Sequence, residues 1–377
     1  MALVHLFLLL SLISVSSGAT IVARLNPGGT RLSLSVGTPP QKQLLAVDLN
    51  AETSWLPCGK NSSFEPGKSS TFSPLPCSSN ACSGHCSKNK CLLPISPKTS
   101  VPAFQETLTG FTAPGGAKGT AIFGCAAGKS VGVAALSKNS FALPLQIASS
   151  FSVPRKFALC LSPDSPSSLF VGDDSSIIIG GINISSLVSF VPFVSNPVFP
   201  SRYYLDLRTI QTDFSDLKLD PSLFSINPKT GIGGLTLSST NRYTKFPTPV
   251  YAAIAQSFKK YATAFNISIV PARNLPFDLC FNASGMNFNR LGPVFPAIQL
   301  IFRNNIPWNL VGSRVIEFFR GNAIGCLAIQ SAGDPPATSS IGLFHQFDNL
   351  LYFDLAQTRF GFVDRSLHIL RQSCKFS

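Results

Sequence analysis

Acidic side chains are scarce in this chain, and helical periodicity scarcer still. Only 17 Asp and Glu stand against 30 Lys and Arg, leaving a net charge of +13. Such an imbalance favours acidic surroundings, a polyuronide matrix or an acidic protein, as the company the molecule keeps. The basic residues are scattered along the chain and no nucleic-acid-binding motif is present, which argues against nucleic acid as the partner. Beyond the first 19 residues no apolar run approaches the length needed to span a bilayer, so no membrane span is expected. There is no short-period repeat to suggest a solenoid. Only four histidines occur, at positions 5, 85, 345 and 368, and none sits in a segment that offers an obvious base to a nucleophile.

Other residues are plentiful. The 31 Phe, with abundant Val, Ile, Ser and Thr cut up by 28 Gly and 29 Pro, read as many short strands joined by turns. The opening "MALVHLFLLLSLISVSSGA" is apolar, too short to cross a membrane and ends in small residues. It lacks the usual basic start, yet otherwise has the pattern of a secretory signal peptide cleaved near Ala19. The alternative is a buried N-terminal strand. About 360 residues remain, more than one hydrophobic core usually accommodates, so two lobes are expected, 20–194 and 195–377, divided in the Pro- and Ser-rich "VSNPVFPSR".

An even ten cysteines behind a signal peptide argue for disulfides: Cys58, Cys77, Cys82, Cys86, Cys91, Cys125, Cys160, Cys280, Cys326 and Cys374. His85 falls among the cysteines of "CSGHCSKNKC", a spacing that also suits zinc, but an oxidising compartment favours disulfides, and neither metal nor cofactor is expected. Sequons at Asn61, Asn183, Asn266 and Asn282 fit the same secretory route.

Two local patterns place the chemistry. "RLSLSVGTPPQKQLLAVDL" alternates apolar and polar residues around a Gly-Thr-Pro-Pro turn and predicts a hairpin, and "LTGFTAPGGAKGTAIFGC" predicts another. "SFALPLQIASSF" predicts a short helix with Ser140 as N-cap, and "TPVYAAIAQSFKKYATAF" the clearest helix, with Val250, Ile254, Ser257, Phe258 and Tyr261 on one face. A weak internal echo links "LLAVDLNAETSW" with "GLTLSSTNRYT": each runs from a strand into a polar turn, at Asp48 in one and Ser238 in the other.

That echo carries a family resemblance. "VGTPPQKQLLAVDLNAETSWLPC" resembles the first active-site segment of plant pepsin-like aspartic proteinases, and "GGLTLSSTNRYTKFPTPV" the second. With "FALPLQIASSFSVPRKFALCLS", "RLGPVFPAIQLIF" and "IGLFHQFDNLLYFDLAQTRFGF" the likeness extends over nearly the whole mature chain. It is strongest to xylanase inhibitors, xyloglucan-specific endoglucanase inhibitors and basic 7S globulins. The resemblance implies an all-β, bilobal pepsin-like fold with a few short helices.

Peptide hydrolysis in that family needs two facing carboxylates that share a proton and activate water. The Asp-Thr/Ser-Gly of working enzymes reads Asp48-Leu49-Asn50 here, and then Ser238-Ser239-Thr240. Ser238 carries no carboxylate, so the coupled pair reduces to Asp48 alone, and losing one member of such a unit removes orders of magnitude of rate. Leu49 lacks the hydroxyl that would tie the two active loops together, and Asn50 puts a side chain beside the would-be water site. The hairpin matching the family's flap has no tyrosine. Asp48 therefore reads as a structural carboxylate, and no catalytic residue is assigned.

What the resemblance implies instead is recognition. Inhibitor relatives block secreted microbial glycoside hydrolases, xyloglucanases or xylanases, by inserting a basic side chain between the enzyme's two catalytic carboxylates. The xyloglucanase-inhibitor pattern places arginines before a Leu-Gly-Pro and before the last cysteine, which here are Arg290 and Arg371; the xylanase-inhibitor pattern uses a histidine near the C-terminus, where His368 lies. The bland alternative is that these are ordinary solvated surface cations. The resemblance also implies Cys280 paired with Cys326, Cys160 with Cys374 and the other six within the first lobe. A secreted inhibitor of the extracellular space or cell wall is thus the first expectation; a basic-globulin-like storage or peptide- and receptor-binding protein is the second, and an active aspartic endopeptidase the third.

Overall fold

A computed structural model of the chain describes residues 20–82, 85–172, 177–179, 181–215, 217–363, 367, 370 and 372–374. The predicted leader 1–19, His368 and Arg371 lie outside the described residues. The described chain is mostly strand, with three α-helices: α1 (Leu143–Ser150), α2 (Thr248–Ala264) and α3 (Leu343–Gln346). Among the described residues no helix is long and apolar enough to cross a membrane.

The alternating patterns become half-buried strands. In Arg31–Val36 the apolar residues Leu32, Leu34 and Val36 face the core, and the strand hairpins onto Gln41–Asp48 in a register that sets Val36 opposite Gln41. The flap hairpin pairs Thr99–Thr109 with Gly119–Ala126 and turns through Pro114–Gly116. Helix α2 buries Val250, Ile254, Ser257, Phe258 and Tyr261, the face predicted from their spacing. Helix α1 starts later than the sequence suggested. Its first residue is Leu143 with proline in the first turn, its N-cap position is Ala142 with no side-chain cap, and Ser140 lies outside it. The chain is turned before the helix by Asn139, whose Oδ1 accepts from Phe141 N at 3.0 Å, and proline in the first turn removes a donor that would otherwise need a cap.

Two equivalent crossings set the geometry of the centre. In the first half, Val133–Ala135 runs parallel to Gln41–Asp48, with Ala135 opposite Asp48. In the second, Leu235–Leu237 runs parallel to Ser339–Ile341, with Leu237 opposite Ile341. The first crossing reaches Asp48 itself and the second stops at Leu237, one residue before Ser238, so Asp48 and Ser238 emerge at nearly matching points. An antiparallel sheet bridges the halves: Thr20–Leu25, Ser167–Gly172, Lys156–Cys160, Leu350–Asp354, Arg359–Val363 and Val188–Val194 pair in that order. Every residue of Leu350–Asp354 is buried, because both faces of this sheet are covered. Phe157 and Phe353 stack on it at 4.3 Å, with Tyr203 edge-on to Phe353 at 4.8 Å. Offset aromatic contacts of this kind add to the burial of the rings themselves.

The structure closes Cys58 onto Cys125, Cys77 onto Cys86, Cys82 onto Cys91, Cys160 onto Cys374 and Cys280 onto Cys326. Cys58–Cys125 ties the segment around residues 58–91 to the strand Gly119–Ala126, and the next two disulfides close loops within that segment.

Candidate functional site

Asp48 ends its strand half-buried. Its Oδ1 accepts from Asn50 N at 2.8 Å, and its backbone carbonyl accepts from Leu136 N at 2.8 Å. Ser238, 3% exposed, occupies the matching position. Its Oγ accepts from Asn241 N at 3.0 Å and lies 3.3 Å from Thr240 Oγ1, so the hydroxyl is spent on capping its own turn. From below, Gln346 Nε2 in α3 donates to Ser238 O and to Ile341 O, each at 2.8 Å. Among the described residues no hydrogen bond joins Asp48 to Ser238.

The two turns are nevertheless tied across the molecule. Ser239 Oγ donates to Val47 O at 3.0 Å and accepts from Leu49 N at 2.9 Å. Leu49 has nothing to return, as its sequence implied. The missing bond is supplied one residue later, where Asn50 Nδ2 donates to Leu237 O at 3.1 Å. Asn50 therefore does more than crowd a water site: its amide replaces the hydroxyl that Leu49 lacks, over a sequence separation of 187 residues.

Between the turns a cavity of about 400 Å³ persists, with Asp48, Asn50, Arg202, Tyr204, Ser238 and Asn241 on its walls. Asp48 is the one acid among its described lining residues. Arg202, whose guanidinium carbon lies 4.1 Å from the Phe199 ring centroid, is a lining residue that sequence reasoning missed. It lay in the stretch read as an inter-lobe boundary, and an Arg following Pro-Ser carries no signal for a site. Its neighbour Ser201 donates from Oγ to Glu52 Oε1 at 2.6 Å, a further tie to the first half.

Behind the second turn, His345 is wholly buried. Its Nδ1 lies 2.8 Å from Thr244 Oγ1, which also accepts from Gly342 N at 3.1 Å. Burial, with the Arg314 charge nearby, pushes this imidazole down to about 3, so it stays neutral inside the protein.

Arg290 is exposed and stands at the tip of a small hairpin, Phe288–Asn289 paired with Gly292–Pro293. Asn289 Oδ1 accepts from Leu291 N at 2.8 Å, forming an Asx turn. Leu291 O accepts from Ser313 N at 2.9 Å, so the tip is also held from behind. Gly312, at φ 54, makes that approach possible, since a Cβ there would collide with the Leu291 carbonyl. Arg290 itself has no hydrogen bond or ion pair among the described residues. Next to the position of Arg371, the terminal segment is anchored by the Cys160–Cys374 disulfide and by Cys374 N donating to Asp348 Oδ1 at 3.0 Å; Asp348 in turn pairs with Arg314. Of the sequon asparagines, Asn61 and Asn266 are exposed, whereas the Oδ1 atoms of Asn183 and Asn282 cap short helical turns by accepting from Ser185 N and Ser284 N.

Comparison with known proteins gives this arrangement its relatives. The family description "Xylanase inhibitor N-terminal" matches residues 31–173, and "Xylanase inhibitor C-terminal" matches 202–364. Gamma conglutin 1 of Prunus dulcis is 33% identical over 248 residues, 64% of this chain and 54% of that protein. The chain thus spans little more than half the length of that curated relative. Aspartyl protease family protein 2 of Arabidopsis thaliana is 30% identical over 355 residues, 88% of this chain and 69% of that protein. A solved structure titled edgp superposes with a TM-score of 0.83 at 29% identity, over 95% of this chain and 98% of that one. On the two-part family match and on the parallel crossings that set Asp48 against Ser238, the chain belongs to the xylanase-inhibitor group of pepsin-like proteins.

Proposed function

We propose that this protein is a secreted, proteolytically inactive member of its family that inhibits microbial glycoside hydrolases by placing Arg290 between the two catalytic carboxylates of the enzyme. The observation that carries the reading is the state of Arg290: exposed, unpaired among the described residues, and set on a tip braced by an Asx turn and by Ser313. A glycosidase cleft holds two carboxyl groups about 5 to 9 Å apart. A guanidinium offers paired donors to either one and stays charged at every relevant pH. Bracing the tip beforehand reduces the ordering cost on binding. The net charge of +13 speeds encounter with an acidic enzyme. Proteolysis is lost because a single acid faces the cavity and the Ser238 hydroxyl, already capping its turn, cannot hold the proton that a second carboxylate would share. Export through the predicted leader places the inhibitor in the extracellular space, where such enzymes act, and Arg371 joins Arg290 as a second inserted group.

The test is a panel of fungal xyloglucanases and xylanases assayed with and without the protein. At least one is inhibited, and Arg290→Ala raises its inhibition constant about 100-fold, equivalent to about 3 kcal/mol at a buried charged anchor. An equal inhibition constant for the variant removes Arg290 from the mechanism.

A further inference from the structure

The hairpin that presents Arg290 also presents an aromatic surface. Phe288, two residues earlier, is 57% exposed, the highest exposure of any large apolar side chain given for the described residues apart from Ile178. Its ring is stacked on Phe318, centroid to centroid 5.8 Å at 30°. Phe318 belongs to Ile316–Phe319, which pairs with Ile324–Leu327 so that Phe318 lies opposite Gly325. A Cβ on Gly325 would sit 3.1 Å from the Phe318 ring and 2.8 Å from Met286 Cε. The absent side chain therefore seats Phe318 against the core, and Phe318 supports the outer ring.

Nothing in the fold requires Phe288 to stand in water. A buried ring is worth about 1.5–3 kcal/mol, which this residue largely forgoes. In the sequence around it Arg303 is paired with Asp206, Arg314 with Asp348 and Glu317 with Arg242, whereas Arg290 has no ion pair among the described residues. An aromatic residue beside an unpaired arginine, on a rigid support, is the composition found at the energetic centre of protein interfaces. Arg290 beside Phe288, on a molecule of net charge +13, selects a partner with an acidic, apolar-walled recess.

We infer that Phe288, carried on Phe318, is a second anchor of the same interface: its ring packs against the wall of the glycosidase cleft beside the carboxylates that Arg290 engages, in the place where the enzyme stacks a sugar ring. This rests on the reading of Arg290 given above and adds to it a specificity-determining residue. The two anchors differ in kind. Arg290 acts through a buried charge pair, which slows dissociation and also makes association salt-dependent, whereas Phe288 acts through contact area, which is expressed in the dissociation rate without salt dependence.

The experiment uses the full-length protein and whichever panel enzyme it inhibits. Phe288→Ala is expected to raise the inhibition constant about 10-fold through faster dissociation, equally at low and high salt, with the melting temperature unchanged. Phe288→Trp keeps inhibition within about two-fold, because the ring face is preserved. Inhibition by Phe288→Ala equal to that of the unsubstituted protein, while Arg290→Ala loses it, overturns this inference and leaves the proposed function standing. A loss in Phe288→Ala that tracks a lowered melting temperature and is shared by Phe288→Trp also overturns it, since the ring would then be structural. Failure of the unsubstituted protein to inhibit any enzyme of the panel removes both.

Discussion

At the first half-site the acid survives and the neighbouring hydroxyl is gone, Asp48 being followed by Leu49; at the second the hydroxyl survives and the acid is gone, Ser238 being followed by Ser239. Each turn has kept what the other lost. The bonds that join the turns are nevertheless intact, two through Ser239 and one through Asn50 in place of the missing hydroxyl. Tying the halves together and polarising a water are thus separable tasks of one constellation. The first is kept by hydrogen bonds in this structure; the second is the task that the proposed function takes to be lost.

The supports of the two turns also differ, and acid is the sharpest way to show it. The second turn leans on α3, where His345 is buried and held down to about 3, against about 6.5 in an unfolded chain. Between those values the unfolded state binds a proton that the folded state does not. Stability is therefore unaffected by this group above about pH 6.5 and falls steadily as the pH is lowered below it, because the unfolded chain takes up a proton that the folded one refuses. Denaturant unfolding at several pH values should show that fall, lessened in His345→Gln.

Smaller effects test the ties themselves. Ser239→Ala leaves Leu49 N and Val47 O buried without a partner and should lower unfolding stability by about 3 kcal/mol. Asn50→Ala removes one bond, from Asn50 Nδ2 to Leu237 O, and should cost about 1 kcal/mol. If Asn50→Ala costs as much as Ser239→Ala, the two halves are held equally by both turns and the ties are not asymmetric. Combining the substitutions gives less than the sum if they share the same opening of the halves.

How much of this was legible beforehand follows from the range over which each signal acts. The strand Arg31–Val36 and the face of α2 could be read because period-2 and period-3.6 burial are local properties. The all-β class followed from many such short segments, and the positions of Asp48 and Ser238 from a strand running into a polar turn in each half. The start of α1 was misplaced because Ser140 looks like a cap, whereas proline in the first turn sets the helix and leaves the serine outside. The task of Asn50 was out of reach, since its partner is 187 residues away and only the paired crossings bring the two together. Phe288 was invisible for a similar reason. Its support depends on a glycine 37 positions later, in a strand separated from its own by four others. Arg202 offered no pattern at all.

The cystine between positions 160 and 374 spans 214 residues of sequence and starts in the sheet that bridges the halves. A single backbone cut anywhere from Leu161 to Ser373 would leave two polypeptides that are still one covalent molecule. The protein can in this way be nicked at an exposed turn and go on presenting both of its halves.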